Sequence, residues 1–152
     1  MKNSVCFIGH RKVQNPKEIE NTVRDTVKAL ILKGYNNFIF GSRSQFNDIC
    51  FTVVKNEQKL NPSLKTIEFR PELEHPSELC SKYSSHGHDK TLCPKGLDGA
   101  GRARYVERNA AMINASEICV FYYDKNYLPP RRKHSKNDLT DYQPKSGTAI
   151  AY

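Results

Sequence analysis

The sequence is poor in the features that would identify it quickly. No apolar run approaches the roughly 20 residues a membrane span needs, and the start, MKNSVCFIGHRK, is too short in apolar residues for a signal peptide. Cytoplasmic residence and no membrane contact are the expectations. The five cysteines (Cys6, Cys50, Cys80, Cys93 and Cys119) are odd in number and form no CxxC, which argues against a disulfide framework. Cys6, Cys50 and Cys119 lie in apolar runs and read as small core residues. His75, Cys80, His86, His88 and Cys93 match no tetrahedral zinc spacing, so no metal is expected. No Walker loop and no GxGxxG occur, so ordinary NTPase or NAD binding is unsupported, and no cofactor is expected. Internal repeats and low-complexity tracts are also missing.

The 152 residues suffice for one domain with a real core. A net charge of +8 favours anionic partners such as phosphates, nucleotides or nucleic acid, although a solvated basic surface would give the same total.

The chain is organised around Arg104 to Asp124. Its first half has helical spacing, with Val106, Ala110 and Ile113 on one stripe and Arg104, Glu107, Arg108 and Ala111 on another. Its second half, Ile118 to Tyr123, is a continuous apolar run, expected to be an interior parallel strand buried on both faces. Upstream, Val5–Ile8 reads as a strand. Asn15 and Pro16 then open a helix whose apolar face is Ile19, Val23, Val27, Leu30 and Ile31. Asn37–Phe40 is the second strand. A second helix begins near Ser44 or Gln45 with Phe46, Ile49, Cys50, Val53 and Val54 on one side. Leu64–Phe69 is the third strand.

Residues 72–101 read as an insertion over the sheet edge or pocket mouth, with a short helix near Pro76–Tyr83. Residues 124–145 form a long loop. The chain closes with the opening of a further helix at Ser146, Gly147 and Thr148. The expected fold class is therefore α/β: a single three-layer, Rossmann-like domain over 1–152 with a mostly parallel sheet and a short or truncated C-terminal edge. That edge suggests a partner subunit, such as a second copy of the chain, or a missing segment.

Three loops end at strand tips and open helices: Gly9, His10 and Arg11; Gly41, Ser42, Arg43 and Ser44; and Ser146, Gly147 and Thr148. Helix N-termini present unpaired amides and the positive dipole end, glycine admits close approach of backbone to phosphate, and arginine supplies a forked cation. Each loop alone is ordinary turn chemistry; together on one sheet edge they predict a phosphate-lined cleft. Arg11, Arg108 and Asn109 are expected at its sugar or base end, with Arg104 a further ligand-binding candidate and Asp124 at the tip of the strand. Glu107 beside arginines would orient them, bind a ribose or act as acid or base. The basic run Arg131 to Lys136 reads either as a loop closing over a phosphate ligand or as a nucleic-acid contact.

Taken together, Val5–Arg11, Phe40–Ser44, Val106–Asn109, Val120–Asp124 and Tyr142–Thr148 resemble the YpsA/YoqJ-like branch of the SLOG superfamily. That superfamily groups LOG-type nucleotide phosphoribohydrolases, the DNA-processing protein DprA and sensor domains of bacterial defence systems. The resemblance covers nearly the whole chain in order and implies a Rossmann-like sheet that binds a nucleotide or a nucleotide-derived ligand. Arg108 to Met112 is similar to the LOG Arg-Lys-x-x-Met run, with Asn109 in place of the lysine. Pro144 to Thr148 stands where PGGxGT is expected, and Ala151 replaces the following glutamate. The resemblance thus implies binding of an ADP-ribose-like ligand without the full catalytic set. Its alternatives are a nucleoside-monophosphate N-glycosidase using Glu107 and Arg108, and DprA-like single-stranded DNA binding through Arg131–Lys136.

Overall fold

The computed structural model describes residues 1–41, 43–71, 87–94, 103–128 and 147–152. In order these form β1 (Ser4–Gly9), α1 (Pro16–Leu32), β2 (Asn37–Phe40), α2 (Gln45–Leu60), β3 (Lys65–Phe69), β4 (Lys90–Leu92), α3 (Arg104–Ala115), β5 (Ile118–Tyr122) and α4 (Gly147–Ala151). The strands make one sheet, ordered β4-β3-β2-β1-β5, and every pairing is parallel. The fold is Rossmann-like α/β. Among the described residues no helix is long and apolar enough to cross a membrane.

Strand periodicity divides the core. Val5, Phe7, Phe38, Phe40 and Leu64 face α1 and α2, meeting Val23, Val27, Leu30, Phe46, Cys50, Val53 and Val54. Cys6, Ile8, Ile39, Ile67 and Phe69 face the other way, onto Met112 of α3. Ala151 of α4 packs against that second core. Successive residues of one strand thus feed opposite layers. Both faces are covered by helices, which is what an all-parallel sheet requires. The apolar faces expected of α1 and α2 are the ones buried here.

Local chemistry sets the helix ends. Ser44 caps α2 by accepting the Asn47 N–H at 3.1 Å. Asn15 occupies the cap of α1 with Pro16 next, but takes a left-handed conformation (φ 49°) and makes no side-chain capping bond. Its amide instead reaches the Glu18 carboxylate at 3.5 Å.

Three expectations change. First, the segment read as an insertion contains β4, which completes one edge of the sheet; the short helix expected near Pro76–Tyr83 lies outside the described residues. The strand is held from its start by Asp89, whose carboxylate accepts the Thr66 N–H (2.8 Å), the Thr66 hydroxyl (2.9 Å) and the Gln58 amide (2.7 Å). Burial alone would raise the Asp89 pKa; these donors and Lys55 hold it below its ordinary value instead. Second, β5 is the opposite edge among the described strands and is half-buried along its length. Ile118, Val120 and Tyr122 do face one core and Cys119 and Phe121 the other, so the continuous apolar run is explained without an interior position. Third, the buried stripe of α3 is Arg108, Asn109 and Met112, while Ala110 is exposed. The missing side chain of Gly41 leaves room at the end of β2, and Arg108 and Met112 fill it.

Candidate functional site

Parallel strands of this type finish at a common rim, where ligands of open α/β sheets bind. Here β1 ends at Gly9, β2 at Phe40, β3 at Phe69, β4 at Leu92 and β5 at Tyr122. α3 runs back from that rim to the opposite edge of the sheet. Arg108 lies at the end of β2, and the Ala115 carbonyl, at the far end of α3, accepts the Ser4 hydroxyl at 3.0 Å.

At the β2–β3 end, a Cβ on Gly41 would lie 3.0 Å from both Cζ and Nε of Arg108 and 2.9 Å from the Met112 sulfur. Glycine is needed here so that the guanidinium can cross the strand end closely. Arg108 is only 3% exposed. Its Nη2 donates to Asn109 Oδ1 at 2.9 Å, and its guanidinium stands 5.5 Å from the centre of the Tyr105 ring. Burial pulls its pKa down to about 10, while Tyr105 and Glu68 act to raise it, so the group keeps its charge at neutral pH. Glu68, also buried, takes Arg70 Nε at 3.5 Å and the Thr91 hydroxyl at 3.4 Å. β3 thus carries a Glu68–Arg70 ion pair, and the charge of Glu68 reaches Arg108 on α3 electrostatically.

The β1–β5 end is aromatic. His10 is 2% exposed. Its Nε2 accepts the Asp124 N–H at 2.9 Å, so its own proton sits on Nδ1, which is buried and has no hydrogen-bond partner among the described residues. Its ring stacks on Tyr127 at 4.1 Å, with Tyr122 and Tyr123 nearby. Desolvation lowers the His10 pKa against the opposing pull of the Asp124 backbone and carboxylate, and favours the neutral ring. The Asp124 carboxylate accepts Gln14 Nε2 at 3.1 Å and the Asn126 N–H at 2.8 Å.

Between these ends, Gln45 joins the loops after β1 and β2. Its N–H donates to the Arg11 carbonyl (2.9 Å), and its side-chain oxygen accepts the Val13 N–H (2.8 Å). Exposed Arg11, Lys12 and Arg43 are therefore carried by loops bonded to each other. Two of the amides that open α2, those of Gln45 and Asn47, are already engaged by Arg11 and Ser44. Gly9 serves packing as well: a Cβ there would lie 2.3 Å from the buried Phe46 ring.

The predicted residues therefore separate. Gly41, Arg108 and Asn109 come together, as do His10 and Asp124, and Arg11 meets the start of α2. Arg104 stands over Tyr105 at 5.3 Å. Glu107 is exposed, on a different side of α3 from buried Arg108. Thr148 is buried in the single turn of α4, which Gly147 opens and which packs on α3 and β1. Ser42, Ser146 and the basic run at 131–136 lie outside the described residues.

Sequence reasoning did not select Glu68 or Arg70. The available signal was a charge alternating with Ile67 and Phe69 in a strand between apolar neighbours. Tyr127, which follows Asp124 closely in sequence, stacks on His10. His88 packs against Phe51 and Phe40, at 4.4 and 5.2 Å. Among the described residues no group of three or more His, Cys, Asp or Glu is placed to hold a metal. No protein-family model matches the chain, and no curated protein aligns with it.

Proposed function

We propose that this chain binds a nucleotide or nucleotide-derived ligand of the ADP-ribose type through its phosphate groups, at the carboxyl rim of the sheet, and serves to sense or sequester it. The observation that carries the reading is the buried, charged Arg108 guanidinium crossing the end of β2 at Gly41. A desolvated cation at the carboxyl rim of the sheet interacts strongly with an anion, because water does not screen it. Exposed Arg11, Lys12 and Arg43 on the adjoining loops add attraction for an incoming polyanion. The buried Nδ1 donor of His10 offers a further contact at the same rim. The order of motifs resembling the SLOG superfamily supports the same class of ligand.

Isothermal calorimetry against AMP and ADP-ribose tests the proposal. Binding that weakens with added inorganic phosphate is expected; absence of heat with either ligand would overturn it.

A hydrolytic reading is favoured by one observation. Glu68 places a buried carboxylate in the Arg108 field at the rim, whereas Glu107 is exposed. Release of free base from AMP, lost in Glu68→Gln, would establish N-glycosidase activity. Tight binding with no release in the native protein would remove it.

A further inference from the structure

We propose that Cys6 and Cys119 form a redox modification site, a dithiol that a hydroperoxide converts to a disulfide joining β1 to β5. The two residues are 113 positions apart in sequence, yet they are direct partners in the parallel register of β1 and β5. Both side chains lie on the α3 side of the sheet, and their sulfurs are 3.1 Å apart with both thiols free. A disulfide needs about 2.05 Å between sulfurs, so closure calls for a movement of roughly 1 Å. Neighbouring strands already hold the two backbones at the separation such a bond spans.

The two cysteines differ in access. Cys6 is fully buried in the sheet, whereas Cys119 lies on the half-exposed edge strand. Oxidation therefore begins at Cys119. Its sulfur attacks the outer oxygen of the hydroperoxide, the O–O bond breaks, and an alcohol or water leaves, giving a sulfenic acid. The Cys6 sulfur then attacks the Cys119 sulfur, the S–O bond breaks, and water leaves with the Cys6 proton. Two thiols lose two electrons and the peroxide gains them. Burial first, then the neighbouring Cys119, pushes the Cys6 thiol up to about 12, which slows the second step and makes it faster as pH rises. Ser116, whose hydroxyl donates to the Met112 carbonyl at 2.8 Å, acts in the opposite direction on Cys6. This inference is independent of the ligand proposed above.

The test is treatment of the folded protein with hydrogen peroxide, alkylation of remaining thiols after unfolding, and peptide mapping by mass spectrometry. The expected result is a Cys6–Cys119 crosslinked peptide, a loss of two titratable thiols per chain, faster closure at higher pH, and a Tm that rises and returns on reduction. Cys119→Ser, at the half-exposed position, should abolish the crosslink and leave Cys6 fully alkylatable. A native protein in which Cys119 accumulates sulfinic acid while Cys6 stays reduced overturns the proposal. So does one whose crosslinks join other cysteines.

Discussion

At the β1–β5 end of the rim, a neutral histidine is held by one backbone amide, the stacked ring of Tyr127 and the nearby rings of Tyr122 and Tyr123. At the β2–β3 end, Glu68 and Arg108 are buried charges from different elements, and Arg70 pairs with Glu68 from the end of β3. Both ends begin from a glycine that lets a helix approach the sheet, but what approaches differs. Gly9 admits the rigid ring of Phe46, and Gly41 admits the flexible side chains of Arg108 and Met112. The first glycine fixes architecture; the second positions a charge. The same residue type at two strand ends therefore carries different demands.

Substituting the two glycines breaks the comparison most sharply. Gly9→Ala drives a methyl into a buried ring on α2 and should cost about 3 kcal/mol, the upper part of the usual overpacking range, in urea unfolding. Gly41→Ala meets side chains that can shift, so about 1 kcal/mol is expected, together with weaker AMP binding as Arg108 is displaced. Equal losses of stability would remove the distinction.

Arg108→Met should weaken folding and binding together. Removing one buried charge leaves Asn109 Oδ1 without its donor and buried Glu68 without the facing cation, and should cost about 3 kcal/mol in urea unfolding. Loss of a charge-assisted contact to phosphate should weaken AMP binding by about 2 kcal/mol, roughly thirtyfold. Unchanged affinity by calorimetry would take the ligand away from the β2–β3 end.

His10→Phe keeps a ring against Tyr127 but removes the acceptor for the Asp124 N–H, and should cost about 1 kcal/mol at pH 7.5. The native protein should also show a pH signature. The folded pKa of His10 lies below its ordinary 6.5, so the unfolded chain takes up the proton first. The His10 contribution is complete above pH 6.5 and is lost as pH falls through and below that value. Urea midpoints measured from pH 7.5 to 5 should fall in the native protein and fall less in the variant.

Arg43→Ala should have the smallest effect. An exposed cation near a phosphate site contributes about 0.6 kcal/mol, near threefold in affinity, and the difference should vanish in high salt.

Much of the architecture was legible because burial and period coincide. Val23, Val27 and Leu30 on α1 and Phe46, Cys50, Val53 and Val54 on α2 are spaced as a helix face and are buried as one. β4 was not legible: Lys90-Thr-Leu92 has too few apolar residues to register, and its place comes from Asp89 binding Thr66 across the sheet. β5 misled in position because its side chains enter two cores from an edge. The candidate residues at the strand tips were legible as a list, but the two groups into which the fold sorts them were not. Nothing in the spacing of α3 tells that Arg108 turns inward while Glu107 turns outward; that depends on the gap left by Gly41, 67 residues earlier.

Gln45 has a consequence for how a guest would be admitted. It grips the segment after β1 with both its main chain and its side chain, from the first position of α2. The segment bearing Arg11 and Lys12 is therefore tied to the stretch that carries Arg43 by two hydrogen bonds. On the proposed function, the two basic loops would respond to a ligand together, and loosening Gln45 would uncouple them.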